Sequence, residues 1–390
     1  MIRAFSLFLR KLQAKKERKR ILTKYSKWKK IITLLPSAIT TEKKLLIIRL
    51  DDIGDYLLSH NLMAAFRESG NWKDHTITML GNVAWKEFYL LINKDIAEKE
   101  IWVNKKEYFT NEDYRNNLWK QLKADGYTTV ICLSRTRPLL LDDMCAFASG
   151  ALTKIGCENT YEDTVINSAS NNMFSSLFKN DTQLHEFFFN QSFTNWCCDS
   201  NLNISRPFIP NNSTVKILES PYILCNLGAN AKSRRWDVNS WIQYIRLCRI
   251  SIPQFTLVLA GSEADLSLAN EIKKEEEVNS IVGQTTLEEM IPWTYGASVV
   301  VCNNSMAAHL GVCCNTSTVI ISSGDNFPRF AEYEIAGIKN VTTVYPPVFL
   351  RKWKQKKYKL FWYYTAVSKD IKTIKATLVF KRTIAFLNNA

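Results

Sequence analysis

The sequence predicts an α/β protein in which two doubly wound, parallel-sheet domains follow one another. Short apolar runs alternate with helix-like stretches, and the alternation breaks near residue 160 and resumes after residue 210. The 390 residues also exceed one typical domain of about 150 residues. A hydrophobic content of 46% with 23% charged residues is that of a globular chain and excludes a disordered or fibrous one.

In the first half, "LLIIRL" (Leu45 to Leu50), "HTITML" (His75 to Leu80) and "YTTVICLS" (Tyr127 to Ser134) read as buried strands, with helical stretches between them. Residues 159–210 are polar, rich in Asn and Phe and without a clear period, and "SRPFIPNN" reads as a linker. The second series runs "PYILCNLG", a helix "VNSWIQYIRLCRI", "FTLVLAG", a helix from about Ala264 to Glu276, "NSIVG", "TLEEMIPWTYGA", "SVVVCNN", "AAHLGVCC" and "STVIISS". Two Rossmann-like domains in tandem are the consistent outcome.

The net charge of +14 is unevenly placed. Residues 1–30 carry +11 and residues 351–390 carry +10, which leaves −7 for the stretch between them. The first segment interleaves Ile2, Phe5, Phe8, Leu9 and Leu12 with its cations at helical spacing, a pattern suited to lying on an anionic bilayer. The plainer alternatives are a solvated basic tail or a nucleic-acid patch, but no nucleic-acid motif accompanies it. No apolar run reaches the roughly 18 residues of a membrane span, and no h-region with a cleavage site follows the basic start. The ten cysteines include adjacent pairs, Cys197-Cys198 and Cys313-Cys314, rather than C-x-x-C ligand spacing. Zinc is therefore not expected, and buried free thiols in a reducing cytoplasm are.

Four constellations carry chemistry. The strand-to-helix turn "RLDDIGDY" places Asp51, Asp52 and Asp55 around Gly54. Helix capping explains such acids, but a carboxylate held at a helix start above a parallel sheet is also a candidate general base. The loop "NLGANAKSRRWDVNSW" follows a strand with Lys232, Arg234 and Arg235, suited to clamping a diphosphate, or simply solvated. In "VVVCNNSMAAHLGVCC" a strand gives way to Asn304, Ser305, Met306 and Ala307, then His309, where small residues leave backbone N–H groups open to phosphate. A lone histidine there is more often a core residue. Glu263 in "VLAGSEAD", and Thr285 and Thr286 in "IVGQTTLEEM", stand at strand ends where ribose or base contacts form.

The order of strand, "IGD", helix, basic loop ending in Trp, "VLAGSE", "IVGQTTLEE" and "NNSMAAHL" resembles glycosyltransferase family 9, the heptosyltransferases of the lipopolysaccharide core. That resemblance implies the GT-B architecture, with two Rossmann-like doubly wound domains facing a cleft and basic helical segments at both ends. It implies an inverting, metal-independent transfer with no cofactor. The donor is a nucleotide diphosphate sugar, such as ADP-heptose, and the acceptor a lipid-linked glycan. Asp55 then falls on the base, with Asp52 and His60 on the acceptor side. Lys232, Arg234, Arg235, Asn304, Ser305, Met306, Ala307 and His309 fall on the donor and its phosphates, and Glu263, Thr285 and Thr286 on the nucleotide. Arg234 stands where the family has a lysine, Asn304 where it has an aspartate and Met306 where it has glycine. Those departures leave a donor that differs from the usual one, or a degenerate relative, as the alternative.

The expected organisation is a membrane-associating segment (1–40), an acceptor domain (41–205), a donor domain (206–345) and basic C-terminal helices (346–390) packing back on the N-terminal domain. The expected location is peripheral, on the inner face of a bacterial inner membrane. No nucleic-acid partner is expected.

Overall fold

The computed structural model describes residues 2–38, 40–160, 163–180, 184–210, 217–334, 336–354 and 370–388, with side chains for all of these except 2–12 and 352–354. The chain forms two compact units. The first comprises residues 1–52, 62–181 and 190–202, and the second residues 53–61, 182–189 and 203–390.

In the first unit, β1 (Lys44–Arg49), β2 (Thr76–Asn82), β3 (Lys99–Val103), β4 (Thr129–Cys132), β5 (Thr153–Cys157) and β6 (Ser176–Phe178) form one sheet. Its order is β3-β2-β1-β4-β5-β6, and every pairing is parallel. Both faces of β1 are covered, so Leu45 to Ile48 read as an unbroken apolar run instead of alternating. Three strands of this sheet, β3, β5 and β6, escape the sequence reading. The stretch 159–210, expected to be irregular, holds β6 and the helices Thr164–Asn171 and Glu186–Cys198.

The N-terminal helix Ile2–Thr33 is partly a piece of this core. Trp28 and Ile32 are buried, and the Trp28 ring meets Tyr108 at 6.0 Å and Trp119 at 5.4 Å. The Arg115 guanidinium stacks on Trp28 at 4.5 Å, and Arg18 pairs with Asp163 at 3.1 Å. The boundary expected at residue 40 is therefore not where the packing places it. The cations Lys15, Lys16, Lys19 and Arg20 remain exposed, whereas the side chains of Ile2, Phe5, Phe8, Leu9 and Leu12 lie outside the described residues.

The second unit repeats the topology. Its strands are β7 (Tyr222–Asn226), β8 (Thr256–Ala260), β9 (Asn279–Ser280), β10 (Val299–Asn303), β11 (Thr318–Ile321) and β12 (Val341–Val344), in the order β12-β11-β10-β7-β8-β9, again all parallel. In each sheet the order reverses beside the first strand, at β1/β4 and at β7/β10. Ligands of open α/β sheets sit beyond the strand ends at such points. The helix Val238–Ser251 buries Trp241, Tyr244 and Ile245 against this sheet.

The C-terminal helix Ala376–Leu387 differs from expectation. It packs on Val238–Ser251 and the second sheet, with Tyr244 and Thr383 sharing a hydrogen bond at 3.0 Å. Trp236 also donates from its indole to the Ile374 carbonyl at 3.0 Å. The buried face of the helix (Ala376, Val379, Thr383) packs inside the second unit. Most of "RKWKQKKYKLFWYY" lies outside the described residues. All ten cysteines are buried free thiols.

Candidate active site

The three acids of the first turn find three different cations. Asp51 pairs with the buried Arg49 at 2.9 Å, Asp52 pairs with Lys105 at the surface, and Asp55 lies 3.7 Å from Arg329. Asp51 and Asp52 belong to the first unit, and Asp55 to the second. Asp55 sits in the first turn of the short helix Ile53–Leu57 with about one fifth of its side chain exposed. That helix rests on the helix Met306–Cys313: the His309 ring lies over Gly54, and the Cys313 thiol donates to the Leu57 carbonyl at 3.6 Å.

Arg329 and Glu186 were invisible to the sequence reading. The Arg329 guanidinium is buried and forks onto Glu186 through bonds of 2.6 and 2.8 Å. Its backbone carbonyl accepts the Glu186 N–H at 2.8 Å, and its guanidinium stacks on the Phe330 ring at 4.4 Å. His185, beside Glu186, meets the Phe330 carbonyl through Nε2 at 3.0 Å and accepts the Phe187 N–H on Nδ1 at 3.3 Å. The only hint in the sequence is the pair His185-Glu186 ahead of three phenylalanines.

His309 is a positioned core histidine. Its Nδ1 shares a hydrogen bond with the Tyr333 hydroxyl at 2.5 Å. Burial pushes its pKa down to about 3; the nearby His185 and Arg234 push the same way, and Glu186 opposes them. It therefore stays neutral, within electrostatic reach of both the Asp55 surroundings and the basic loop. His60, expected on the acceptor side, is placed away from solvent. It is buried 6.0 Å from the Tyr56 ring, and burial pushes it to about 3.

The basic loop is stitched at its two ends by Asn303. This fully buried side chain accepts the Trp236 N–H at 3.0 Å and donates to the Leu227 carbonyl at 2.7 Å. At Gly228 a side chain would stand 2.6 Å from the Asp265 carboxylate, so a larger residue would have to push that carboxylate aside. Arg235 is spoken for: it donates to the Ala229 carbonyl at 2.7 Å and stands 3.7 Å from Asp265. Arg234 approaches Asp325 at 3.5 Å with about a third of its side chain exposed, and Lys232 is exposed. Asp265 also caps its own turn through Ser262, and its neighbour Glu263 is exposed.

Ser305 and Met306 are half-buried at the start of their helix, with no side-chain cap from Ser305. Asn304 and Ala307 are buried, and the Asn304 amide reaches Ser322 at 3.5 Å. Thr286 and Glu289 cap one another, and Thr285 is half-buried beside them. Among the described residues, no group of three or more His, Cys, Asp or Glu is placed to hold a metal ion.

Residues 190–322 match the family model described as glycosyltransferase family 9 (heptosyltransferase). Among solved structures, a glycosyltransferase family 9 protein from Veillonella parvula is similar at a TM-score of 0.64 and 14% identity, covering 90% of this chain and 99% of that one. The E. coli heptosyltransferase WaaC, solved with ADP-2-deoxy-2-fluoro heptose, is similar at 0.63 and 13%, covering 89% and 100%. The E. coli ADP-heptose lps heptosyltransferase II is similar at 0.60 and 13%, covering 89% and 99%. No curated protein sequence matches this chain. The fold is that of the GT-B heptosyltransferase structures, and the family match agrees with the resemblance read from the motifs. Together they support a glycosyltransferase.

Proposed function

We propose that the chain is an inverting, metal-independent glycosyltransferase. It moves a heptose or related sugar from a nucleotide diphosphate sugar to a lipopolysaccharide core or another glycan acceptor. The observation that carries this is Asp55, a partly exposed carboxylate at a helix start, in the same unit as the basic loop 227–236. An acceptor hydroxyl is a poor nucleophile, and its proton must leave as the new bond forms; Asp55 takes it. The leaving diphosphate gathers negative charge at the glycosidic oxygen. Arg234 and Lys232, with the open backbone N–H groups at Ser305 and Met306, receive that charge. Direct displacement of this kind inverts the sugar carbon.

ADP-heptose is the first donor to try, because the similar E. coli enzyme was solved with an ADP-linked fluoroheptose. Asn304 and Met306 leave room for a relative of that sugar. The exposed cations Lys15, Lys16, Lys19 and Arg20 suit an anionic membrane surface, where a lipid-linked acceptor would lie. Among the described residues no helix is long and apolar enough to cross a membrane. Calorimetric titration against a panel of nucleotide sugars, followed by nucleotide release in the presence of core oligosaccharides, tests the reading. Binding of no nucleotide sugar would sink it.

A further inference from the structure

We propose that Glu186, acting through Arg329, sets the basicity of the Asp55 carboxylate. The inference rests on the reading of Asp55 as the base, and it concerns how that base keeps its capacity for a proton beside a guanidinium.

The geometry divides Arg329 unequally. Its Nε and Nη2 bond the two Glu186 oxygens at 2.6 and 2.8 Å, whereas Nη2 stands 3.7 Å from Asp55, beyond hydrogen-bond length. The side chains of Glu186 and Arg329 are about 0% and 7% exposed, so little water screens this pair. A buried ion pair is a weak device for stability alone, since apolar residues of similar volume do as well or better. Here it does something an apolar pair cannot. Glu186 neutralises Arg329 and occupies its fork, so Asp55 feels a guanidinium that orients it without capturing it. Were Glu186 uncharged, Arg329 would turn its unpaired charge on Asp55 and hold it as an ion pair with little affinity for a proton.

The other titratable groups around Asp55 do not share this part. His309 lies under the Gly54 turn with the Tyr333 hydroxyl bonded to its Nδ1, and burial keeps both neutral. His185 uses one ring nitrogen on the Phe330 carbonyl and the other to accept the Phe187 N–H, the pattern of a neutral imidazole. Arg234 and Asp325 pair with each other at 3.5 Å.

The test reads Asp55 directly. Protein carrying 13C in its aspartate carboxyls is titrated by NMR, with Asp55→Asn identifying the signal. In Glu186→Gln the proton affinity of Asp55 should fall about tenfold. In the double substitution Glu186→Gln/Arg329→Gln, which removes the cation nearest Asp55, it should rise above the wild-type value, which loss of packing alone would not produce. Affinities within twofold of wild type in both variants would overturn the proposal. Should Glu186→Gln fail to fold, the double substitution, which leaves no lone buried charge, decides: a value above wild type supports the proposal and an unchanged one overturns it. Turnover is scored separately. Asp55→Asn that still transfers sugar would remove Asp55 as base, whereas a dead Asp55→Asn with an unmoved titration would remove only the role of Glu186.

Discussion

The ring of His309 lies where a side chain on Gly54 would have to go: a Cβ there would stand 2.6 Å from Cδ2 and 3.2 Å from Nε2. The glycine is thus required by a close approach and not by its backbone angles. It lets the Asp55 turn settle onto the helix that carries His309.

Gly54→Ala should cost about 1–3 kcal/mol of stability, as overpacking does when the neighbour is ring-locked. Urea denaturation measures it. Turnover should fall further than stability, because the displaced residue is next to Asp55. Wild-type stability would show that His309 moves aside freely.

Asp55→Asn should abolish transfer while leaving affinity for the nucleotide sugar within a few-fold. The amide has the shape of the acid but cannot take the proton, so the loss belongs in kcat. Asp52→Asn should do much less, since Asp52 serves a surface pair with Lys105. An equal loss from both would move the base to Asp52.

Arg234→Ala should weaken binding of free ADP by about 2 kcal/mol, the scale of one charge-assisted contact. Arg235→Ala should act instead through the loop, because its guanidinium is held by Ala229 and Asp265. Calorimetry with ADP separates the two. Unchanged ADP affinity in Arg234→Ala would return that residue to the solvated surface.

Stability should depend on pH through His309. Its pKa falls from 6.5 to about 3 on folding, so the unfolded chain binds the extra proton between those values. The stability is present above pH 6.5 and is lost as pH falls toward 3, by up to about 1.4 kcal/mol per pH unit. Asp142 works in the opposite sense: burial raises it from 3.8 to about 7, so its contribution is full below pH 3.8 and fades as pH rises toward 7. His309→Gln should remove a fall in stability as pH drops from 6.5 toward 3, and Asp142→Asn a fall as pH rises from about 4 to 7. Thermal unfolding between pH 4 and 8 checks both.

Replacing Lys15, Lys16, Lys19 and Arg20 with Gln should reduce sedimentation with anionic liposomes, each cation near the surface contributing about 1 kcal/mol. Transfer to a soluble acceptor should survive. These substitutions are preferable to deleting residues 1–30, which would take Trp28 out of the core. Undiminished sedimentation would free this face of any membrane role.

How much of this was legible in the sequence follows from how local each signal is. β1, β7, β8, β10 and β11 announce themselves, because a strand buried on both faces is an unbroken apolar run. Strands β3, β5 and β6 are partly exposed at or near the sheet edge, and their mixed composition hides them. The acids around Gly54 and the cations of the loop 227–236 are visible in the sequence because each cluster is local. Arg329 and Glu186 are not visible there, since the reason for each is the other, 143 residues away. The burial of His60 is equally hidden, since it depends on the packing around the Tyr56 ring. The burial of Trp28 likewise depends on rings at 108 and 119 that no local pattern reveals.

The interleaving of the two units along the chain bears on how the protein is made. Residues 53–61 and 182–189 leave the ribosome well before the strands of the second sheet, yet they pack with residues 203–390. Asp55 and Glu186 must therefore wait, without their arginine, until position 329 has been synthesised. The two segments cannot complete their packing in order of synthesis, as an N-terminal domain folding first would. A fragment beginning at residue 203 would leave Arg329 buried without its carboxylate. A gene split before residue 203 would separate Asp55 and Glu186 from Arg329, the residue that each of them approaches.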